Sequence, residues 1–359
     1  MQSVRLKVLT TDSAGPALSQ RVRPDSNPAV YPNGYEVHFT RRIWGTAVSP
    51  GQLALLPNMF RWADVVHLTG TYSFPTLPTL LLARLFSKPL VWSPRGALQA
   101  AREWSEVRSK TPKRLFEKLC NVLVRPDRVV LHVTSEEERR SSEAAISVAS
   151  SVVIPNGVDI PETLLRKKSS LDGRLRIMFI GRLDPKKGLE ILLDAIRNLT
   201  DPTITVDVYG TGDPEYVARL QALVEKYRLG AYVHLLGHVS GEDKARAFAD
   251  ADVCVLPSYS ENFGMVIAES LAHGVPVITS KMTPWRSVES IDCGLWIENS
   301  ADALAEAIKR IRSRDLAAMG ARGREWIKRE FSWLTIAGQI SAVYDRLLTN
   351  QPPSSHFRI

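Results

Sequence analysis

Residues 176–188 read RIMFIGRLDPKKG: an apolar run ends at a glycine and a charged segment follows. A short apolar run of this kind predicts a buried parallel strand, here over residues 176–181. After Gly188, apolar side chains recur with helical spacing at Leu189, Leu192, Leu193 and Ile196. The stretch therefore predicts a strand, a polar loop and a helix, in that order.

The same alternation continues on both sides of this stretch. In the second half, apolar runs predict strands at 203–209, 233–237, 253–257 and 275–279, separated by helices that include 214–227 and 241–249. In the first half, strands are predicted at 6–10, 37–40, 65–68, 90–92 and 129–133. Strands that alternate with helices indicate an α/β fold with parallel sheets, in which ligands bind beyond the carboxyl ends of the strands.

Composition limits the class of protein. A chain of 359 residues is long enough for two domains, and 44% hydrophobic with 23% charged residues is typical of a soluble globular protein. No apolar run reaches the roughly 18 residues that a membrane-spanning helix needs. The three cysteines, Cys120, Cys254 and Cys293, are scattered, which favours a reducing cytoplasm and gives no metal-binding spacing.

The positive charge is concentrated in the first half. Residues 1–160 contain 20 Lys and Arg against 13 Asp and Glu, a net +7, whereas residues 161–359 contain 26 against 25, a net +1. This asymmetry indicates an anionic partner, such as a lipid headgroup, a membrane surface or an acidic acceptor; the alternative is a solvated basic face.

An amphipathic segment at 111–124 lies within this basic half. It combines apolar and basic residues, and further basic residues extend the run at Arg102, Arg108, Lys110, Arg125 and Arg128. Such a segment is typical of a helix on an anionic membrane surface. An ordinary helix that covers the first sheet is an equally good interpretation, and the two are compatible.

The loop at 181–188 follows a predicted strand and opens a helix. Free backbone N–H groups and a partial positive charge make such a helix start a natural anion site. Arg182 offers a planar fork of donors and Lys187 a point charge, and both suit phosphate oxygens. The loop therefore predicts a diphosphate site, with a basic surface loop as the alternative.

Two glutamates, Glu261 and Glu269, bracket the next candidate element. Asn262, Phe263 and Gly264 follow the first of them and begin a helical run, and Gly264 would let a ligand approach the backbone closely. The neighbours of Glu269 are apolar, so this carboxylate is not part of a polar, solvent-facing side of the helix. The two carboxylates are therefore predicted to hold different hydroxyl groups of one elongated ligand.

Two other patterns point to different chemistry and are given less weight. Asp250-Ala251-Asp252 has the form of a metal-binding Asp-x-Asp, but it lies between a helix and a buried strand, where Asp250 is expected to cap and Asp252 to start the strand. The Gly-x-Gly at 210–212 would suit a nicotinamide-dependent oxidoreductase, but Glu215 stands where the third glycine is needed.

Jointly, GRLxxxKG at 181–188, the Gly-x-Gly, and the Glu-x₇-Glu element with Phe-Gly inside it resemble the retaining glycosyltransferases of family 4, which have the GT-B fold. PNGVD at 155–159 is similar to that family's interdomain segment, and FSW at 331–333 to the entry of its C-terminal helix. The resemblance covers nearly the whole chain and is strongest over 152–335.

The resemblance implies two Rossmann-like parallel-sheet domains that face each other across a cleft. The N-terminal, acceptor-side domain would comprise residues 1–155, and the nucleotide-sugar-binding domain residues 156–335. Residues 336–359 would form a helix that crosses back to the first domain, followed by a flexible tail. The family usually begins with an earlier strand and a glycine-rich loop, so the first domain is expected to lack both and the activity of the chain is an open question.

The resemblance also implies roles for individual residues. Arg182 and Lys187 would bind the donor diphosphate, Glu269 the ribose hydroxyls, and Glu261 the donor sugar with help from backbone N–H groups near Asn262, Phe263 and Gly264. Arg95, in Ser93-Pro94-Arg95-Gly96, stands where many relatives have a sugar-contacting histidine. It is expected to be a catalytic or acceptor-site residue; the alternative is an arginine paired with an acid. His67 is interpreted as a packed strand residue.

The function implied is retaining transfer of a hexose from a nucleotide-diphosphate sugar to a glycan or lipid-linked acceptor, as in cell-surface polysaccharide biosynthesis. The donor would be a substrate, so no cofactor and no metal are expected, and nucleic acid is not an expected partner. The location would be the cytoplasm, with peripheral association at the inner face of the cytoplasmic membrane. The alternative is a truncated, non-catalytic nucleotide-sugar-binding protein.

Overall fold

The computed structural model describes residues 4–15, 18–45, 47–98, 110–165 and 173–349. Three features predicted above lie outside these residues: Arg102 and Arg108, the flexible tail, and the side chain of Lys110. The chain divides into two compact units. The first contains the described residues up to Ile154 and again those from Gly338, and the second is Pro155–Ala337.

The second unit is built on one six-stranded parallel sheet. Its strands are β8 (Leu175–Ile180), β9 (Ile204–Tyr209), β10 (Val233–Gly237), β11 (Val253–Leu256), β12 (Val277–Ser280) and β13 (Gly294–Ile297). Its helices are α5 (Leu189–Leu199), α6 (Pro214–Lys226), α7 (Gly241–Asp250), α8 (Met265–Ala272), α9 (Ser287–Ser290), α10 (Ala301–Arg312) and α11 (Leu316–Glu330). The central strands are almost completely buried, as expected for a sheet that has helices on both faces.

The strand order in this sheet is β10-β9-β8-β11-β12-β13. From β8 the chain moves outward through β9 to β10, and then returns to place β11 on the other side of β8. The order therefore reverses between β8 and β11. In open α/β sheets, ligands bind at such a reversal, outside the carboxyl ends of the two strands.

The first unit contains two separate sheets. Their strands are β1 (Lys7–Thr11), β2 (Ala29–Val30), β3 (Glu36–Thr40), β4 (Val66–Thr69), β5 (Leu90–Ser93), β6 (Val129–Val133) and β7 (Ser150–Val153). The helices are α1 (Pro50–Trp62), α2 (Thr76–Leu85), α3 (Lys110–Leu123) and α4 (Glu136–Ala145). A last helix, α12 (Trp333–Leu348), begins in the second unit, and its residues from Gly338 belong to the first.

The strand order in the first unit is β1-β3-β2 in one sheet and β4-β5-β6-β7 in the other. Both β1 and β4 are edge strands, and within the described part of the chain no strand pairs with their outer edges. Leu9 of β1 still packs against the core that contains Leu68 of β4, so the two sheets share a hydrophobic core.

Three observed strands are not predicted from the sequence. β2 has only two residues, β7 reads SSVV and β13 reads GLWI, so none presents a sustained apolar run. They form because a neighbouring strand offers them hydrogen-bonding partners: β7 pairs with β6, and β13 with β12. Pairing across the sheet compensates here for weak local preference.

Candidate active site

Two loops leave the sheet where its strand order reverses. The first, residues 181–188, follows β8, and the second, residues 257–264, follows β11. The two strands are adjacent and parallel, with Val253 opposite Ile177 and Cys254 opposite Met178. Their carboxyl ends therefore lie at the same edge of the sheet. The loop with Arg182 and Lys187, which are predicted to bind the diphosphate, thus lies beside the loop with Glu261, which is predicted to bind the sugar.

The first loop is shaped by Asp184, Pro185 and Gly188. The Asp184 carboxylate accepts the N–H of Lys186 at 3.1 Å and caps a short 3₁₀ turn over Pro185–Lys187. Gly188 then has φ 68°, in the left-handed region that glycine adopts at little cost. Arg182 donates to Asp184 at 3.1 Å with its side chain 66% exposed, so it lies at the surface and can reach a ligand.

The Gly-x-Gly loop at 210–212 packs against this first loop. Gly181 N–H donates to the Tyr209 carbonyl at 3.0 Å and Leu183 N–H to the Thr211 carbonyl at 2.8 Å. A Cβ at Gly210 would lie 1.8 Å from the Gly181 oxygen, and one at Gly212 would lie 2.0 Å from the Leu183 oxygen. The close approach of two backbones therefore explains these glycines without a dinucleotide-binding motif.

Direct contacts join the two loops. Tyr259 N–H donates to the Lys186 carbonyl at 2.8 Å. The Lys187 ammonium lies 2.5 Å from Oε1 of Glu261, and the Ser258 hydroxyl donates to the same oxygen at 2.8 Å. The two charged side chains are only 15% and 9% exposed. The structure thus brings together the predicted Lys187 and Glu261 in a largely buried ion pair, and it adds Ser258.

Asn262, Phe263 and Gly264 complete the second loop. The Phe263 ring is buried beside Trp285, with centroids 5.2 Å apart, and its carbonyl accepts the Trp285 indole N–H. Gly264 has φ 83° and precedes α8, whose first turn has no side-chain cap in the described structure. Oδ1 of Asn262 is buried and has no hydrogen-bond partner among the described residues. The loop is therefore anchored through Phe263 and leaves an acceptor and helix N–H groups available to a ligand.

Glu269 lies on α8 and forms its ion pair with a different helix. Its Oε1 accepts from the Lys244 ammonium of α7 at 2.8 Å, and its side chain is 23% exposed. Glu269 therefore has a cationic partner that the sequence does not reveal, because a lysine on a surface helix carries no distinguishing pattern. Ser258 is missed for a similar reason, since a lone serine after a strand is common.

Arg95 belongs to the first unit, in the turn that follows β5. Its φ is 56°, which is unusual for a residue other than glycine. The next residue, Gly96, donates its N–H to the buried carboxylate of Glu138 at 2.5 Å. The turn that carries Arg95 is therefore held on one side by an acid from α4.

The Asp-x-Asp at 250–252 has a structural role. Asp252 is buried and accepts the Arg176 N–H at 2.9 Å, which fixes the start of β11 to β8. The expectation that Asp250 caps a helix is wrong: it is the last residue within α7, and Ala251 follows as the cap. In the ranges that the structure covers, no group of three or more His, Cys, Asp or Glu side chains is placed to hold a metal ion.

Comparison with known proteins identifies the family of this chain. A family model described as glycosyl transferases group 1 matches residues 162–326. A phosphatidyl-myo-inositol mannosyltransferase of Mycolicibacterium smegmatis is 30% identical over 265 residues, which cover 69% of this chain and 67% of the relative. The chain belongs to the glycosyl transferases group 1.

A second mannosyltransferase and a solved structure extend the comparison. The phosphatidyl-myo-inositol mannosyltransferase of Mycobacterium leprae is 30% identical, and the chain spans 66% of it, just under two thirds of its length. The crystal structure of Anabaena HepE in complex with UDP has a TM-score of 0.69 at 20% identity and covers 87% of this chain and 86% of that one. The predicted GT-B fold class is confirmed, as is the predicted membership in a glycosyltransferase family.

Proposed function

We propose that the chain transfers a hexose, with retention of configuration, from a nucleotide-diphosphate sugar to a glycan or lipid-linked acceptor, as in cell-surface polysaccharide biosynthesis. One observation carries this proposal: Lys187 and Glu261 form a largely buried ion pair that joins the two loops at the strand-order reversal. Related proteins support it, because the mycobacterial relatives are named mannosyltransferases and the HepE structure contains UDP.

The chemistry of the reaction fits the charges in these loops. Breaking a sugar–phosphate bond builds negative charge on the departing diphosphate and positive charge on the sugar ring. We assign Lys187 and Arg182 to the diphosphate, where one fixed donor contributes about 3–4 kcal/mol to transition-state stabilisation. These cations would supply the charge for which many sugar transferases use a metal ion, so the proposed reaction is metal-independent.

The remaining residues are assigned to the sugar and the nucleoside. Glu261 would accept from donor-sugar hydroxyls, and the unpaired Oδ1 of Asn262 would accept another hydrogen bond, together with N–H groups near Phe263 and Gly264. Glu269 would accept from the ribose hydroxyls. In the first unit Arg95 would act on the sugar or the acceptor. Same-face attack, with the departing phosphate taking the acceptor proton, would retain the configuration.

Donor binding and turnover test this proposal. We expect at least one of UDP-glucose, UDP-N-acetylglucosamine, GDP-mannose and ADP-glucose to raise the melting temperature, because a bound ligand stabilises the folded state by about 2.7 kcal/mol at a hundred times its Kd. Calorimetry would then give the Kd. The release of nucleoside diphosphate would report transfer to added acceptors, or slow hydrolysis without one.

The outcomes separate the two functions that the sequence leaves open. Binding with release of nucleoside diphosphate supports an enzyme. Binding without any release, in the presence of lipid and glycan acceptors, would favour a non-catalytic nucleotide-sugar-binding protein. No binding to any nucleotide-diphosphate sugar would overturn both.

A surface on α3 supports a membrane-bound acceptor. The side of α3 that contains Phe116 and Cys120 packs against the core of the first unit. A second apolar stripe, Leu115, Leu119 and Val122, is 59%, 46% and 70% exposed. The helix therefore covers the core and also presents an apolar stripe that the packing of this unit does not explain.

Two exposed basic residues, Arg114 and Lys118, flank this stripe, whereas the exposed Lys113 lies on another side of the helix, over the Tyr72 ring. Leu81 and Leu85 of the neighbouring α2 are 44% and 67% exposed. Apolar residues next to clustered positive charge fit an anionic lipid surface. In the part of the chain that the structure describes, no helix is long and apolar enough to cross a membrane. We propose peripheral association with the cytoplasmic membrane through this α3 surface, in line with the lipid that appears in the relatives' name, phosphatidyl-myo-inositol mannosyltransferase.

Neutralising the α3 surface is expected to release the protein from anionic vesicles. Arg114 and Lys118 each contribute about 1 kcal/mol near an anionic surface, so replacing both by Gln should lower the partition coefficient roughly 30-fold. Sedimentation with vesicles of roughly 30% phosphatidylglycerol in phosphatidylcholine, an anionic surface of the kind that attracts basic segments, measures this coefficient.

A matched control removes the same charge elsewhere. Arg219 and Arg246 of the second unit have side chains 67% and 62% exposed, and their replacement by Gln should change vesicle binding less than about threefold. Equal losses in the two double variants would show that net charge, and not the α3 surface, determines binding. The absence of binding by the unmodified protein would contradict the membrane proposal.

A further inference from the structure

Four basic residues line one small hollow of the first unit. The hollow has an empty volume of about 210 Å³, open solvent included, and lies where α2 and α3 end. Arg84 belongs to the last turn of α2 and Lys88 to the connection from α2 to β5, whereas Arg125 and Arg128 belong to the connection from α3 to β6. This hollow with its four cations is called the basic pocket below.

The basic pocket lies at the edge of the sheet opposite to Arg95. β5 and β6 are parallel, with Leu90 opposite Val129, and the Leu90 N–H donates to the Arg128 carbonyl at 2.9 Å. Lys88 and Arg128 therefore precede the amino ends of these strands, whereas Arg95 follows the carboxyl end of β5. A ligand in the basic pocket would be separated from Arg95 by the length of a strand, so the pocket is not part of the proposed transfer site.

Positive charge exceeds negative charge around this pocket. Among the described residues, the acid in contact with its cations is Asp127. The Asp127 carboxylate lies 3.8 Å from both the Arg125 and the Arg128 guanidinium, a distance too long for a hydrogen bond, and its side chain is 66% exposed. Four positive charges thus face one exposed negative charge. Because like charges repel, an anion among them would be stabilised.

The protein groups that the described structure places against these cations take up few of their hydrogen-bond donors. Nη1 of Arg84 donates to the Val122 carbonyl at 3.0 Å, and Nη1 of Arg125 donates to the Ser87 hydroxyl at 3.4 Å. A guanidinium has five N–H donors and an ammonium three. The remaining guanidinium donors have the planar fork that binds two phosphate oxygens at once.

The ends of the two helices explain part of this arrangement. Cations near a helix C-terminus complement the helix dipole, and Arg84 fits this role because it lies in the last turn of α2 and donates to a carbonyl in the last turn of α3. The effect falls off within the last turn. It does not account for Lys88 or Arg128, which lie three and five residues beyond the last residues of their helices.

Buried apolar side chains form much of the remaining lining. Leu80, Ala83, Val124 and Val129 all line the hollow, and each is 6% exposed or less. A cleft that combines charge of one sign with low-dielectric walls focuses the electric field and raises the local concentration of the opposite charge. The basic pocket therefore suits a small anion, and its arginines favour a phosphate group.

The basic pocket adjoins the exposed apolar stripe of α3. Arg84 of the pocket contacts the backbone of Val122, and the Val122 side chain, the last of the stripe, is 70% exposed. On α2, Leu85 follows Arg84 and is 67% exposed. A phosphate site at the end of an exposed apolar surface matches a phospholipid, in which the phosphate lies next to the acyl chains. A free phosphate would leave the apolar stripe without a partner.

We propose that the basic pocket binds the phosphate group of an anionic phospholipid headgroup while the stripe of Leu115, Leu119 and Val122 contacts the bilayer. The choice of a lipid as the source of the phosphate rests on the membrane association proposed above. Phosphate binding itself depends neither on that association nor on the transfer reaction. The pocket adds one defined point of attachment to the general attraction that Arg114 and Lys118 provide.

A chemical-shift titration with inorganic phosphate tests the site without any turnover. At constant ionic strength, phosphate should shift the amide signals within residues 84–90 and 123–129 in a saturable way. The pocket variant, Lys88→Gln with Arg128→Gln, should raise the phosphate Kd about 10-fold or more, as for the loss of hydrogen bonds from charged groups. The matched control, Arg23→Gln with Arg41→Gln, removes two exposed cations near β1 and β3 and should leave the Kd unchanged.

A short-chain phospholipid and vesicles distinguish a lipid headgroup from a free phosphate. Monomeric dihexanoyl phosphatidylglycerol should shift the same signals and those of the stripe, and its Kd should be lower than that of inorganic phosphate. Vesicles of roughly 30% phosphatidylglycerol in phosphatidylcholine should bind the pocket variant about 30-fold more weakly than the unmodified protein, and the control less than about threefold more weakly.

The melting temperature separates a binding role from a structural one. The pocket variant should melt no lower than the unmodified protein, because it removes two of several neighbouring like charges. A clearly lower melting temperature would assign the cations to the fold and overturn the inference.

The outcomes also separate this inference from the earlier proposals. Saturable phosphate shifts that are lost only in the pocket variant support the site, whatever the donor assays show. Equal responses of the pocket variant and its control would overturn it, and tighter binding of inorganic phosphate than of the short-chain phospholipid would overturn the lipid as the ligand. If Arg114→Gln with Lys118→Gln releases the protein from vesicles but the pocket variant does not, membrane association stands and this inference fails.

Discussion

Replacing Lys187 with alanine is expected to lower kcat/KM for the nucleotide-sugar donor by about 100- to 1,000-fold, which is the usual cost of losing one fixed charge-stabilising donor. The change removes the cation assigned to the diphosphate. It also leaves the Glu261 carboxylate, only 9% exposed, with the Ser258 hydroxyl as the remaining partner that the structure shows. An uncompensated negative charge would then lie where a diphosphate should bind, so the donor Kd should rise as well.

The neighbouring lysine provides the control. Lys186 is one residue away in the same 3₁₀ turn and has no ion pair among the described contacts. Its contact with the second loop is through its backbone carbonyl, which accepts from Tyr259 and survives substitution. Lys186→Ala should therefore change kcat/KM by less than about threefold, the size of an ordinary surface substitution. If Lys187→Ala retained a third or more of the original turnover, the assigned role of Lys187 would be wrong.

A double substitution shows whether the electrostatic argument is correct. In Lys187→Ala with Glu261→Gln, the orphaned carboxylate is removed together with the lysine. Donor binding by this double variant should be no weaker than by Lys187→Ala alone, because contacting charges are coupled and their effects do not add. Strictly additive losses would mean that Lys187 and Glu261 act independently, despite the 2.5 Å contact between them.

The elements around this pair could be predicted from the sequence for a simple reason. β8 and β11 are mainly apolar runs of six and four residues in the buried centre of a parallel sheet, and the half-exposed edge strand β10 is also predicted at its observed bounds, Val233–Gly237. The last helix, Trp333–Leu348, is also predicted, because its apolar spacing places Ile336 and Val343 in the core, 1% and 8% exposed. Local hydrophobic pattern is sufficient where burial is nearly complete.

The partners of the site residues could not be predicted in this way. Lys244 reaches Glu269 from a different helix, 25 positions earlier in the chain, and the contact depends on how α7 and α8 pack. His67, interpreted as a packed strand residue, takes part in a hydrogen-bond chain whose members span 277 positions of sequence at their widest contact. Such contacts depend on the three-dimensional packing of distant elements, which a single sequence does not display.

The amphipathic segment on α3 could be predicted only in part from the sequence. The sequence gives its composition but not which of its apolar residues face the core. Structure separates them: Cys120 is fully buried, whereas Leu115 and Val122 are more than half exposed. The interpretation as a covering helix therefore applies to the face with Cys120, and the membrane proposal concerns the face with Leu115 and Val122.

Gly188→Ala is expected to have the largest effect on stability of the changes considered, a loss of about 2–5 kcal/mol in the free energy of unfolding. Two costs contribute. An alanine in the left-handed region costs about 1–2 kcal/mol, and Gly188 has φ 68°. The new Cβ would also lie 2.1 Å from the Pro257 carbonyl oxygen, so the backbone of the second loop has to move, and overpacking of this kind costs roughly 1–3 kcal/mol.

The melting temperature and the donor Kd should both respond to Gly188→Ala. A loss of this size corresponds to roughly 5–15 °C in a unit of this length. Because Pro257 begins the loop that carries Ser258 and Glu261, its displacement also separates Glu261 from Lys187, and donor binding should weaken even at temperatures where the variant is folded. Gly230→Ala is the matched control: a Cβ there meets nothing within 4 Å, so its effect should be below about 0.5 kcal/mol. Equal melting temperatures for the two variants would show that the two loops do not approach each other as closely as the contact between Gly188 and Pro257 requires.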